Sequence, residues 1–260
     1  MMRENDVVQV AARPDMVGKA LSLLTLLGGH SRGAAATTLA RESHLPLSTA
    51  HRLMGALVRD GYATFDATTK QYALGLRVYQ LAQNVARTNG WTGMTRSILE
   101  EVSVTTREAT VLAVLDGDHL IYVYSIEGPQ QVSVVGEPGK PGPLHCTAVG
   151  KVLVAFTADD VREHLVDRLP LPPHGPHSIV SRARFRDEVE GVRRAGYAIA
   201  DEEHEAGIRA IAVPVPGERA AVAALSTAAP AYRMSVEQLT EHLPTLVRSA
   251  GSLAAVMPPD

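Results

Sequence analysis

The stretch LPLSTAHRLMGALVRDGY, Leu45 to Tyr62, decides how the N-terminal part of this 260-residue chain is read. Two arginines, a histidine, a serine and a threonine interrupt an otherwise apolar helical run. On a wheel at about 100° per residue, Ala50, Leu53, Met54 and Leu57 share one side. Ser48, His51, Arg52, Gly55 and Arg59 gather opposite, with Thr49 on the flank. That polar face holds hydrogen-bond donors and no carboxylate. A core helix has no need of it, and an ordinary solvated helix would carry more Glu and Lys.

The flanking segments supply its setting. Leu21, Leu24 and Leu27 recur at helical spacing, so a first helix is expected over Val17–Leu27, ended by Gly28-Gly29 in left-handed backbone. A short second helix follows around Thr37–Ser43, and His44-Leu45-Pro46 breaks the chain before the quoted helix, which runs to Asp60 and stops at Gly61. Tyr62–Phe65 and Gln71–Leu74 read as strands around a hairpin tip, Asp66 to Lys70. Three helices and a hairpin have the layout of a winged helix-turn-helix, which implies double-stranded operator DNA as a partner. Ser48, Thr49, His51, Arg52 and Arg59 would face base edges and phosphates. Thr69 and Lys70 would reach the backbone from the tip, helped by Thr68 and Gln71, and the helix N-terminus near Ser48 would donate amides to phosphate.

Charge is divided in the same sense. Residues 1–91 carry ten Lys/Arg against six Asp/Glu, a net of +4, and residues 92–260 carry fifteen against twenty-two, a net of −7. The excess is modest but compatible with a nucleic-acid-binding head. No apolar run approaches the roughly 18 residues a membrane span needs. The first 16 residues are polar and mixed in charge, without a signal-peptide pattern. One cysteine, Cys146, cannot form an internal disulfide, which fits a cytoplasmic location.

Beyond the hairpin, GLRVYQLAQNVART (Gly75–Thr88) is helical, with Leu76, Tyr79, Leu81, Ala82 and Val85 recurring; it either packs against its own copy in a dimer or joins the second domain's core. Ser97–Thr106 reads as helix, and Thr110–Leu115, Leu120–Ile126 and Gln131–Val135 as strands. Thr147–Phe156 is helical, and Thr157 heads a Thr-x-x-Asp capping box for another helix. Leu169–His177 is a loop, and Ser181 caps a helix ending at Gly196. Tyr197–Ala200, Ala210–Val215 and Ala220–Thr227 are strands. Ser235 to Gln238 is a second capping box, opening one last helix to about Val256. Strand hairpins with helices on one side give an α+β, sensor-like domain.

The residues that could carry chemistry are few. His145-Cys146 offers the residue types of a nucleophile and its base, but chain neighbours seldom meet in a dyad, whose members normally come from separate segments. That pair is the basis of the rival reading, a Cys146-dependent enzyme with an N-terminal interaction module. GEPGKPGPLHCTAVGK (Gly136–Lys151) lacks the phosphate-loop spacing, yet the amides of a helix start at Thr147 suit a carboxylate. Asp201-Glu-Glu-His-Glu205 and His174-Gly-Pro-His177 read as polar surface loops, not metal clips. No catalytic residue, metal or cofactor is expected.

Six ordered stretches then fix a resemblance. These are KALSLLTLL, LARESHLPLSTAHRLMGALVRDGY, YALGLRVYQLA, PLHCTAVGKVLVAF, VRRAGYAIADEEHEAGIRAIAVPV and AALSTAAP, and together they resemble the IclR-type bacterial transcriptional regulators from about Val17 to Val256. The resemblance implies a winged helix-turn-helix DNA-binding domain over 16–75 after a flexible 1–15, and a linker and dimerisation helix over 76–91. It implies a GAF/PAS-like effector-binding domain over 92–258, a homodimer or homotetramer, and control of a nearby catabolic operon, read here as repression, by a small organic acid. Carried over by motif, the effector site comprises His145, Cys146, Thr147, Ala148, Val149, Ala200, Asp201, Ala210, Ser226 and Ala228. Family members that bind small keto acids are polar at positions 200, 210 and 228, where this chain has alanine. A roomier, more apolar pocket and a larger or aromatic acid are therefore expected.

Overall fold

A computed structural model describes residues 15–130 and 136–258. The strand expected at Gln131–Val135 and the N-terminus before Asp15 lie outside the described residues. The chain divides into two compact units between Val85 and Ala86.

The first unit contains α1 (Met16–Gly28), β1 (Ala34–Ala35), α2 (Ala36–Glu42), α3 (Leu47–Arg59), β2 (Ala63–Asp66) and β3 (Gln71–Leu74). Asp15 caps α1, accepting from the Gly18 amide at 2.8 Å. At the other end Gly29 has φ −75°, so α1 does not close with the left-handed glycine expected of it. Leu23, Leu27, Leu39, Ala50, Met54 and Tyr72 are buried together, which packs the three helices over the wing. Burying one such leucine is worth roughly 2 kcal/mol. Positive φ at His44 breaks the chain between α2 and α3, and at Gly61 it turns α3 into β2. The sheet has the order β1-β3-β2; the two-residue β1 was too short to carry a periodic signal.

α4 (Leu76–Thr88) follows and spans the division between the units. None of its residues is buried, and Leu76, Tyr79, Leu81 and Val85 stand exposed.

The second unit is built on a six-stranded antiparallel sheet of order β6-β5-β4-β9-β8-β7. Its elements are α5 (Gly93–Thr106), β4 (Ala109–Asp116), β5 (His119–Ile126), β6 (Pro141–Gly142), α6 (Ala148–Phe156), α7 (Asp159–Arg168), α8 (Arg182–Ala195), β7 (Ala198–Asp201), β8 (Ile208–Pro216), β9 (Ala221–Pro230), α9 (Val236–Glu241) and α10 (Leu243–Ala254). One sheet face buries Leu112, Ile211, Val213 and Leu225 against Leu99, Leu246 and Leu253 of α5 and α10. The other buries Ala113, Ala212 and Ala224 under Val152, Phe185 and Val189 of α6 and α8. The fold class is α+β, but helices cover both faces and not one. β8 and β9 are apolar at nearly every position because both their faces are dry.

Three local readings are also corrected. Thr157 makes no box: the N-cap of α7 is Ala158, and Thr157 closes α6 instead. Ser181 occupies the N-cap of α8 without a side-chain bond, although Gly196 ends that helix at φ 82°. The last helix is two, α9 and α10, meeting at His242, with Pro244 in the first turn of α10 where a missing amide costs nothing. The Ser235–Gln238 box is present.

Candidate functional site

In the head, α3 is the element that presents donors. Ser48, His51, Arg52 and Arg59 are exposed and Thr49 is half-buried, opposite buried Ala50, Leu53 and Met54. Pro46 is the N-cap and offers no side-chain acceptor, while the amides of Thr49 and Ala50 return to its carbonyl. The amides of Leu47 and Ser48 are thus left at an uncapped helix start, a geometry suited to phosphate. His51 Nδ1 lies 3.4 Å from the Tyr72 hydroxyl, and the two rings meet edge-on at 6.2 Å, so the wing orients the imidazole. The Arg52 guanidinium rests 3.7 Å from Met16 Sδ. Arg59 Nε lies 3.9 Å from the carboxylate of exposed Asp60.

At the wing tip Asp66 holds the turn, accepting from the amides of Thr68 (2.7 Å) and Thr69 (3.3 Å). The Thr68 amide, followed by Thr69, keeps the Asp66 carboxyl below its ordinary range. Thr69 therefore builds the turn before it can meet DNA. Lys70 is exposed and adopts φ 58°.

In the second unit a cavity of about 370 Å³ opens between the sheet and the start of α6. Its floor follows from strand register. Ala200 pairs with Ala210 and Ala210 with Ala228, so three methyl groups lie in one row across β7, β8 and β9. In the next row Ala212 pairs with Ser226, which also pairs with Val111. Larger side chains in the first row would fill the space.

The roof is the N-terminus of α6. Thr147 caps it, accepting from the Gly150 amide at 3.0 Å while donating to Pro143 O at 2.8 Å. Ala148 and Val149, both lining the cavity, keep first-turn amides outside this cap. Gly150 is required here: a Cβ would sit 2.5 Å from Leu144 O and 2.6 Å from Thr147 Oγ1. Lys151, 1% exposed, then anchors α6 by donating to Glu188 and Glu203, both at 2.7 Å, and to Ile199 O.

Eight of the ten positions carried over for the effector line this cavity: Cys146, Thr147, Ala148, Val149, Ala200, Ala210, Ser226 and Ala228. His145 and Asp201 do not. His145 is buried behind the loop, donating from Nε2 to Pro172 O at 2.9 Å. Asp201 turns to Arg209. Tyr122, Lys140, His204 and Ile208 join the lining unannounced by the sequence, except that Tyr122 falls on the inward phase of a strand. Burial, with the Cys146 charge adding, raises the Tyr122 hydroxyl to about 12.

Cys146 does have a histidine at hydrogen-bonding distance, and it is His204: Sγ lies 3.8 Å from His204 Nδ1. Burial, reinforced by Glu203, pushes the thiol up to about 12, which makes it a poor nucleophile at neutral pH. Desolvation of its ring, with the His174 charge adding, lowers the His204 imidazole below its usual range.

A winged helix-turn-helix joined to a cavity-bearing, sheet-based sensing domain defines a class, the one-chain ligand-sensing transcriptional regulator. Residues 16–67 match the model of the IclR helix-turn-helix domain, and residues 85–255 match that of the bacterial transcriptional regulator IclR C-terminal domain. The "Probable transcriptional regulator SauR" of Cupriavidus necator is 30% identical over 90% of this chain and 94% of its own. The HTH-type transcriptional regulator KdgR of Escherichia coli is 28% identical over 94% of each. Among solved structures, an IclR homolog from Microbacterium hydrocarbonoxydans complexed with 4-hydroxybenzoate superposes with a TM-score of 0.80 at 26% identity, covering 93% of this chain and 98% of that one. The chain belongs to the IclR family: it is a DNA-binding transcriptional regulator and not an enzyme. Among the described residues, no helix is long and apolar enough to cross a membrane.

Proposed function

We propose that the chain is a cytoplasmic repressor of a neighbouring catabolic operon, and that a larger or aromatic organic acid is its signal. The observation that carries the reading of the ligand is the alanine row Ala200–Ala210–Ala228 beneath the first turn of α6. A carboxylate is held by the amides of Ala148 and Val149 and by the Ser226 hydroxyl, while the ring or chain lies on the methyl floor. About 370 Å³ is more room than a two-carbon acid can use. The 4-hydroxybenzoate complex of the Microbacterium homolog agrees with a ligand of this kind.

The DNA site comprises Ser48, Thr49, His51, Arg52 and Arg59 on α3, with Thr69 and Lys70 at the tip. The exposed apolar side chains Leu76, Tyr79, Leu81 and Val85 of α4 suit self-association, and a dimer sets two α3 helices on a palindromic operator. A dimer seated on promoter DNA excludes polymerase, hence repression. Effector and operator are linked through the dimer, each altering the other's affinity by the same factor.

Calorimetric titration with a panel of aromatic and short aliphatic acids tests the ligand reading. An aromatic acid should bind most tightly, and Ala210→Asp, which narrows the floor and adds a charge opposed to the carboxylate, should weaken it at least tenfold. A two-carbon keto acid as the tightest ligand would contradict it.

A further inference from the structure

Four side chains from three separate segments converge beside the cavity, of which Cys146 and His204 line its wall. His145 and Cys146 precede α6, His174 lies in the loop between α7 and α8, and His204 lies between β7 and β8. The ligating atoms of His145, Cys146 and His174 are within 4.8 Å of one another. Cys146 Sγ is 3.8 Å from His204 Nδ1. The His174 ring stands 5.6 Å from that of His145 and 5.2 Å from that of His204. Neither DNA reading nor the carboxylate seat employs this group.

We propose that His145, Cys146, His174 and His204 form a binding site for a divalent transition-metal ion of the zinc type, with three imidazoles and one thiolate around a tetrahedral centre.

The distances favour such an ion. Bonds of about 2.3 Å to sulfur and about 2.0 Å to nitrogen place S and N about 3.6 Å apart in a tetrahedron. The Cys146–His204 separation is already close to that, and the atoms of His145, Cys146 and His174, all within 4.8 Å of one another, need at most on the order of 1 Å of closure, toward which the exposed His174 side chain is free to turn. His145 is prepared for the role. Its Nε2 donates to Pro172 O, so the neutral ring carries its lone pair on Nδ1, with the backbone carbonyl fixing the tautomer as outer partners of metal-bound imidazoles do. A naked thiolate at buried Cys146 would be costly; an ion that bonds the sulfur displaces its proton to solvent and supplies the compensating charge. Imidazole and thiolate donors select zinc-like ions over magnesium or calcium.

A second group, His177, Asp201 and Glu202, lies nearby, but its members are engaged elsewhere. His177 Nδ1 bonds Asp201 O, the Asp201 carboxylate pairs with Arg209, and Glu202 accepts from the Gly207 amide.

The untagged full-length protein, stripped with chelator, should be dialysed against zinc and, separately, titrated with cobalt. One zinc per chain is expected, and the cobalt form should show thiolate-to-metal charge-transfer absorption that Cys146→Ser abolishes. His174→Ala and His204→Ala alter exposed side chains, and each should weaken zinc binding at least about tenfold, the lower end of what lost outer-sphere partners cost. His177→Ala should leave it unchanged. No zinc retained by the wild type, a cobalt spectrum without the thiolate band, or equal affinity in the His174→Ala/His204→Ala double variant would overturn the proposal.

Discussion

Lys70 carries its charge on backbone at φ 58°, where an L side chain costs roughly 1–2 kcal/mol and glycine almost nothing. A cation kept at that cost on an exposed tip argues for use. Lys70→Ala should weaken binding to all DNA sequences about equally and reduce the slope of log K against log salt by about 0.9. Lys70→Gly should lose the same contact while raising the melting temperature of the head. A variant that binds DNA as tightly as wild type at every salt concentration would remove Lys70 from the interface. Asp66 beside it has a depressed carboxyl pKa, so its contribution to the turn is present above the ordinary value of 3.8 and is lost as pH falls through the lower folded value. The Thr68 and Thr69 amide resonances should move in that acid window, and Asp66→Asn should abolish the movement. At this scale much was legible: helical spacing alone separated the donors of α3 from Ala50, Leu53 and Met54. The grouping of Cys146 with His204 was not, because 58 residues separate them and only the tertiary fold brings them to 3.8 Å.

Among the elements, α6 is the one on which the sensing domain turns, and Lys151 fixes it. The ammonium is buried beside Glu203, whose carboxyl burial raises while Lys151 opposes the rise. Lys151→Ala leaves that carboxylate uncompensated and should cost about 3–5 kcal/mol. Lys151→Met with Glu203→Gln removes both charges and should cost clearly less. The single tryptophan, Trp91, lies in this unit, so its fluorescence during denaturant unfolding measures both variants. Equal losses would show that the charge pair is not the anchor. The motif that marks α6 in the sequence announced the helix and the amides at its start, but not that Thr147 caps it. It did not announce Lys151 as a buried anchor, since Glu188 and Glu203 arrive from distant segments. The coverage of both sheet faces was in principle legible: IRAIAVPVP in β8 is apolar on both alternations, which a sheet with one wet face would not tolerate.

For the whole molecule, the split into a basic helical head with a hairpin and an acidic unit of mixed helix and sheet followed from charge division and periodicity, but the two-residue strands β1 and β6 and the break between α9 and α10 did not. Two units in one chain make a regulator only if occupancy of the cavity alters operator affinity, and that coupling is the central claim. The direct measurement is binding of the purified protein to its own upstream intergenic DNA at several salt concentrations, with and without an aromatic acid such as 4-hydroxybenzoate and a two-carbon keto acid. The account predicts sequence-specific, salt-dependent binding whose affinity changes several-fold with the aromatic acid, with the acid's own affinity changing by the same factor when DNA is present. Operator binding that stays the same with the cavity saturated, or binding indifferent to sequence, would contradict it.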